Sequence, residues 1–471
     1  MQIMGLGINY SNGAPLVEPM DEQAFAGMIQ KSLLLHAEEV RNLTRASTTA
    51  TTFRDEVERE RTVDLGDPRT AGWTFLVDGN DPQHTDIIRI IRSLAEHRGM
   101  EDPGTPLFFH HEPPDEWFDW LLENYSSLEM KKVPHYILIV GRPDQVPFQF
   151  QSLLGSAAAV GRVDFDSLEE LKTYVDKVIR LEQATAPTVT RETIFFAPDG
   201  GSKDATYFSR RYMAEPLAEH VRIHCGLNTR AIMGDEATKT HLMESLYRAR
   251  PALVYTASHG LGAPNESFEI QKRLNGAICC QRIGNQPMQD WLFSADDVLL
   301  DAPFLEGAVF FQFACFGYGT PAESDFMHWL RKPELNTEVD FVAALPKRLL
   351  AHSSGPVAFI GHVDTAWLYG FDDPDSPHLL EFWHPRIAPF VKAVDTMLRV
   401  QPIGQAMAEM SKRYDIGNAL LTSTYDRLQR GKIQVTPQFL TRLASAFITR
   451  SDAQNYMIFG DPAVRLRIPG E

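Results

Sequence analysis

A chain of 471 residues, 44% hydrophobic and 23% charged, is long enough for more than one buried core and is composed like a soluble globular protein. Its formal charge of −17 argues against a nucleic-acid partner, because phosphate binding draws on clustered Lys and Arg, and suits basic peptide segments instead. Four cysteines are too few for a disulfide framework, no apolar run reaches membrane-spanning length, and the first residues lack signal-peptide order, so a cytoplasmic setting without a membrane partner is expected.

Residues 1–65 read as an N-terminal helical arm. Apolar spacing predicts a helix over 21–45 with Phe25, Met28, Ile29, Leu33, Leu34 and His36 near one face, followed by a Ser/Thr-rich stretch at 46–52 and a charge-rich run at 54–61. Two roles stay open for it, an arm packed on the body or a removable or inhibitory pro-segment. Residues 66–185 alternate strand and helix, with Trp73-Thr74-Phe75-Leu76-Val77, Leu107-Phe108-Phe109 and Tyr136-Ile137-Leu138-Ile139-Val140 as strands. Residues 186–471 repeat the alternation, with Ile194-Phe195-Phe196-Ala197 opening the second unit. Such alternation implies parallel sheets covered by helices, an α/β fold in two units. The polar segment 261–290 reads as a long loop, its Cys279-Cys280 pair as surface thiols, and its Lys272-Arg273 as either an activation cut or merely exposed.

Two apolar strands end on residues able to do chemistry. Ala252-Leu253-Val254-Tyr255-Thr256-Ala257-Ser258 runs into His259-Gly260, and Val309-Phe310-Phe311-Gln312-Phe313 into Ala314-Cys315-Phe316-Gly317. Parallel sheets present reactive groups at the carboxyl ends of their strands, and a thiol needs an imidazole beside it to act as a nucleophile at neutral pH. Either residue alone is more often a core group; together they suggest a Cys315/His259 dyad. Gly260 is equally readable as an oxyanion donor through its N–H or as a strand-end turn. Asp199 is chosen as the acid that orients the imidazole, against its reading as a turn residue in Pro198-Asp199-Gly200-Gly201. No metal or cofactor is expected, since His110-His111-Glu112 lacks the i, i+4 histidine spacing of helical zinc sites.

These strand ends resemble the catalytic domain of the gingipain family of cysteine peptidases, in the caspase-like clan. Cys315 follows His259 by 56 residues, and Ala314-Cys315-Phe316-Gly317 keeps an A-C-x-G core. Ile360-Gly361-His362-Val363-Asp364-Thr365-Ala366-Trp367, Leu138-Ile139-Val140-Gly141, Val160-Gly161-Arg162-Val163 and Phe459-Gly460-Asp461-Pro462-Ala463 extend the likeness from about Gly72 onward. The resemblance implies two caspase-like α/β/α sandwich subdomains with catalysis in the second. It implies Asp204 at the floor of a basic P1 pocket, with Trp367 packing on the substrate side chain and Asp364 beside it. Asp204 is also readable as a helix N-cap and Trp367 as core. The expected function is thus an intracellular cysteine endopeptidase working through an acyl-enzyme. Its partner would be a protein or peptide cut after Arg or Lys, with an activating protease or inhibitory partner conceivable. The competing readings are a catalytically silent caspase-like scaffold and a different cysteine hydrolase or acyl transferase.

Overall fold

A computed structural model describes residues 2–32, 64–126, 133–264, 266–326, 337–368 and 387–470. Among the described residues ten strands of three to six residues, most of them apolar, pair into one sheet, with the more polar and exposed Asn228–Met233 at one edge. In spatial order it reads Leu107–Phe109, Trp73–Asp78, Tyr136–Val140, Ala159–Val163, Tyr456–Phe459, Ala358–His362, Val309–Phe313, Leu253–Ala257, Glu192–Ala197 and Asn228–Met233. Neighbours are parallel except at one seam, where Tyr456–Phe459 runs antiparallel to Ala358–His362. Two five-stranded parallel halves therefore point in opposite directions and are stitched by the strand Tyr456–Phe459.

The inner strands are largely apolar along both faces because helices cover both. In the first half Phe75 and Val77 face the core that Ile91, Leu94, Leu171 and Val175 build from the helices His84–Arg98 and Leu168–Gln183. Leu76, Ile137 and Ile139 face a second cluster around Trp117, Trp120 and Phe150. Each such fully buried side chain contributes roughly 1.5–3 kcal/mol of transfer free energy.

The seam explains a motif the sequence could only match. Asp461 is fully buried, takes Arg98 at 2.7 Å and Trp73 Nε1–H at 2.9 Å, and its N–H donates to the Tyr174 hydroxyl. Burial lowers and the Asp461 and Glu182 charges raise the Arg98 guanidinium, with a net rise. Gly161 pairs with Ile458, and a Cβ there would fall 2.2 Å from the Gly460 carbonyl oxygen, so the two backbones approach only because the position is glycine.

The N-terminal region departs from a purely helical arm. Gln2–Ile3 pairs with Met20–Asp21, and Gly7–Asn9 joins a small sheet with Gly260–Gly262, Ile278–Cys279 and Leu292–Phe293. The helix Glu22–Ser32 buries Phe25; the rest of the expected helix and the runs at 46–52 and 54–61 lie outside the described residues. The segment 261–290 is likewise built rather than loop. It holds the helix Phe268–Leu274 and the strand Ile278–Cys279, which sink Cys279 and Cys280 into the interior instead of leaving them on the surface. Lys272 and Arg273 sit on that helix, Lys272 paired with Glu269.

Candidate active site

Leu253–Ala257 and Val309–Phe313 are in register, Ala257 opposite Phe313, and Ser258 N–H donates to the Phe313 carbonyl at 3.2 Å. Carried two residues further, that register sets His259 beside Cys315 at the carboxyl edge of the second half. Gly260 lies directly on the cysteine backbone: a Cβ at Gly260 would fall 1.8 Å from the Cys315 carbonyl oxygen and 2.7 Å from its nitrogen. The chain leaves the Cys315 strand through left-handed Phe316 at φ 57° and leaves the neighbouring strand Ala358–His362 through left-handed Asp364 at φ 74°, and the Phe316 N–H donates to the Asp364 carbonyl at 2.8 Å. Such backbone costs on the order of 1–3 kcal/mol per residue and persists where the surroundings enforce it.

The imidazole is held by Asp204. His259 Nε2 lies 2.9 and 3.0 Å from the two Asp204 oxygens, and its Nδ1 is buried without a hydrogen-bond partner. Asp204 precedes the helix Ala205–Ser209 and caps it, accepting from Thr206 N–H at 2.8 Å and from the Thr206 hydroxyl at 2.5 Å. Burial alone would raise this carboxyl; the hydrogen bond and charge of His259, with the Thr206 bonds, overcome it and hold Asp204 at about 2. Gly200 leaves room, since a Cβ there would strike the Asp204 carboxylate carbon at 2.5 Å.

This arrangement corrects the choice of Asp199. Its carboxylate binds Arg210 at 2.9 Å, and its backbone is clamped at both N–H and carbonyl by the Gln281 amide. The turn that begins with Asp199 thus sends the later acid, five residues on, to the histidine. Asp204 is thereby also removed from the floor of a basic pocket. Asp364 is enclosed, accepting from Ser324 at 2.7 and 2.9 Å and from the N–H groups of Asp325 and Thr365. Burial, then the Asp325 charge, pushes it up to about 7. Trp367 is 0% exposed, its ring against Phe25 and Phe326, so it packs as core.

Cys315 is fully buried. Its sulfur accepts from Ala366 N–H at 3.1 Å, and burial pushes the thiol up against that bond. The cover is the chain's own start: a Cβ on Gly7 would lie 3.3 Å from the sulfur. Sequence reasoning missed this covering segment; the Gly5-Leu6-Gly7 spacing, small residues flanking one large apolar one, was its only signal. His259 and Asp204 open onto a cleft of ≈ 830 Å³ that continues past Tyr10 and Asn12 to Gln286 and Trp291. Among the described residues one group, His220, Cys225 and Asp395, brings possible metal-ligand atoms within 4.8 Å of one another, but His220 and Asp395 already bond each other at 2.6 Å.

The family model described as Peptidase family C25 matches residues 115–278, a stretch that holds Asp204, His259 and Gly260 and stops short of Cys315. No curated protein matches the chain. Among solved structures, that of the Arg-specific cysteine proteinase gingipain R is 13% identical over 85% of this chain and 79% of its own, with a TM-score of 0.43. A structure described as a protease gives 13%, 84%, 79% and 0.48, and the complex of Porphyromonas gingivalis RgpB pro- and mature domains gives 11%, 84%, 80% and 0.42. No described helix is long and apolar enough to cross a membrane.

Proposed function

Because the chain carries a cysteine peptidase domain of the gingipain family, we propose that Cys315, His259, Asp204 and Gly260 form its peptide-cleaving centre. Cys315 Sγ attacks the carbonyl carbon of the bond to be cut, and His259 takes the thiol proton through Nδ1, the ring nitrogen left without a partner. Asp204 fixes the ring through its two short contacts to Nε2. Gly260 N–H stands where the developing oxyanion needs a donor. His259 then protonates the departing amine, and water releases the acyl group from sulfur. The observation that supports this reading is the Asp204–His259 pair at the end of the strand that runs parallel to the one leading into Cys315.

A preference for Arg or Lys is not part of the proposal, because the carboxylate expected beneath such a side chain is the one bound to His259. A second reading, a catalytically silent scaffold, is favoured by one fact: the thiol is sealed. The deciding experiment is digestion of an unfolded protein by the wild type and by Cys315→Ala. Thiol-dependent cleavage lost in the variant supports the peptidase; equal fragment patterns, or none from either, support the scaffold.

A further inference from the structure

The helical run 205–225, which Asp204 caps, ends on a cluster of side chains that the peptidase chemistry does not use. His220 and His224 stand i, i+4, the interval of helical zinc sites that His110-His111-Glu112 lacks, and Cys225 follows directly. The two rings lie 4.7 Å apart, tilted by 35°. The last turn, Val221–Cys225, is π-helical, and its i→i+5 repeat brings Cys225 round to the side of His220. Asp395 meets this turn from the helix Ala388–Leu398. Its Oδ1 takes both donors, His220 Nε2 at 2.6 Å and Cys225 Sγ at 3.3 Å. One nitrogen, one sulfur and one carboxylate oxygen therefore converge, all within 4.8 Å of one another.

We propose that His220, Cys225 and Asp395 bind one Zn²⁺, with His224 in the fourth position. A thiolate, an imidazole and a carboxylate together are a donor set for zinc; calcium and magnesium take oxygen instead. Bonds of about 2.0–2.3 Å to a tetrahedral ion hold ligand atoms about 3.3–3.8 Å apart. The Cys225–Asp395 separation of 3.3 Å is already there, and His220 has only to draw back from its 2.6 Å bond by about 0.7 Å. His220 is buried, Cys225 and Asp395 are half-buried and His224 is exposed, so the ion enters from the His224 side and that ring rotates inward to close the site. Binding displaces the two hydrogen-bonded protons. The thiol proton leaves to solvent and the sulfur stays as a thiolate ligand, while the imidazole remains neutral, its proton moving from Nε2 to Nδ1. No electron changes hands. The ion clamps two helices whose ligands stand 170 residues apart in sequence. The second helix carries Phe390, which packs on Phe311 and Phe313 of the strand leading into Cys315. Four protein ligands make this a structural site, at the opposite end of the helical run from Asp204.

The test uses the full chain in a Cys315→Ala background, which removes the thiol assigned to His259. Metal-free protein is titrated with ZnCl₂ against a chromophoric chelator, and bound metal is counted by elemental mass spectrometry. One Zn²⁺ per chain is expected, with a melting temperature that rises with Zn²⁺ concentration, because an ion held by the folded state alone stabilises it. Co²⁺ in its place should give a near-ultraviolet thiolate-to-metal band. Cys225→Ser, His220→Gln and Asp395→Asn, each checked for folding by circular dichroism, should weaken Zn²⁺ by at least the about 10- to 100-fold that loss of an outer-shell partner costs. His224→Ala should weaken it as well, and equal binding by that variant strikes His224 from the set. No stoichiometric Zn²⁺ on the parent chain, or equal binding by folded Cys225→Ser, overturns the proposal. A cobalt band that survives Cys225→Ser assigns the ion to Cys279 or Cys280 and overturns it too.

Discussion

Asp199 and Asp204 show how far a single residue's role can be read from its neighbours in sequence. Asp199 was legible as a candidate acid because it follows the strand that opens the second half, whereas Asp204 was read as a pocket residue or a helix N-cap. Which one reaches His259 depends on the turn between them, fixed by Gln281 from 82 residues away and by room at Gly200. No local pattern encodes that. The two acids separate experimentally: Asp204→Asn should lower kcat by about 10²- to 10⁴-fold with KM little changed, as for loss of general acid–base support, whereas Asp199→Asn, which breaks a partly exposed pair with Arg210, should leave kcat near wild type. Steady-state kinetics on one peptide checks both. Gly260→Ala should do worse than either, because its Cβ has nowhere to go but the Cys315 carbonyl. A loss of about 1–3 kcal/mol in urea unfolding is expected from the forced shift.

Asp364, with Ser324, Asp325 and His362 around it, gives a pH signature. Its ordinary value of 3.8 rises to about 7 in the fold, so the folded protein holds that proton more tightly. The stabilisation is complete below about 3.8 and is lost as pH rises through about 7. The difference in melting temperature between wild type and Asp364→Asn should therefore shrink as pH rises across that window. A difference that grows instead would mean the group is ionised in the fold.

At the scale of elements, the strands carrying His259 and Cys315 were plain in the sequence, since unbroken apolar runs ending in Gly or Cys leave little else to be. The short strands were not. Gly7–Asn9 and Gly260–Gly262 are three residues each, too short for any period to show, and they exist because their partners sit beside them. The same holds for Ile278–Cys279, which turns an apparent loop with exposed thiols into interior. Gly7→Val tests how tightly the covering strand is held. Its added Cβ meets Leu16 at 2.8 Å and the Cys315 sulfur at 3.3 Å. Overpacking of about 1–3 kcal/mol would raise the open fraction about 5- to 150-fold. Alkylation of Cys315 by iodoacetamide, followed by mass spectrometry, should accelerate by that factor.

Across the whole molecule, the α/β class and the two alternating halves follow from the sequence, but the seam does not. An apolar strand of four residues says nothing about which way it runs, and its direction is decided by Gly161 on one side and Ala358–His362 on the other. The buried Arg98–Asp461 pair fastens this joint, so Asp461→Ala should cost about 3–5 kcal/mol by leaving the guanidinium without one of its two carboxylates. Equilibrium urea unfolding measures the loss, and because both halves share the strand, circular dichroism and tryptophan fluorescence should shift together.

That shared strand also sets an order of events during synthesis. Tyr456 follows His362 by 94 residues, so a nascent chain that has already folded the strands leading to His259 and Cys315 still exposes the bare backbone of Ala358–His362. Unpaired strand edges invite pairing with other chains. Ribosome-bound intermediates of this protein are accordingly the species most in need of a chaperone, and the hazard ends when the missing strand emerges and closes the edge.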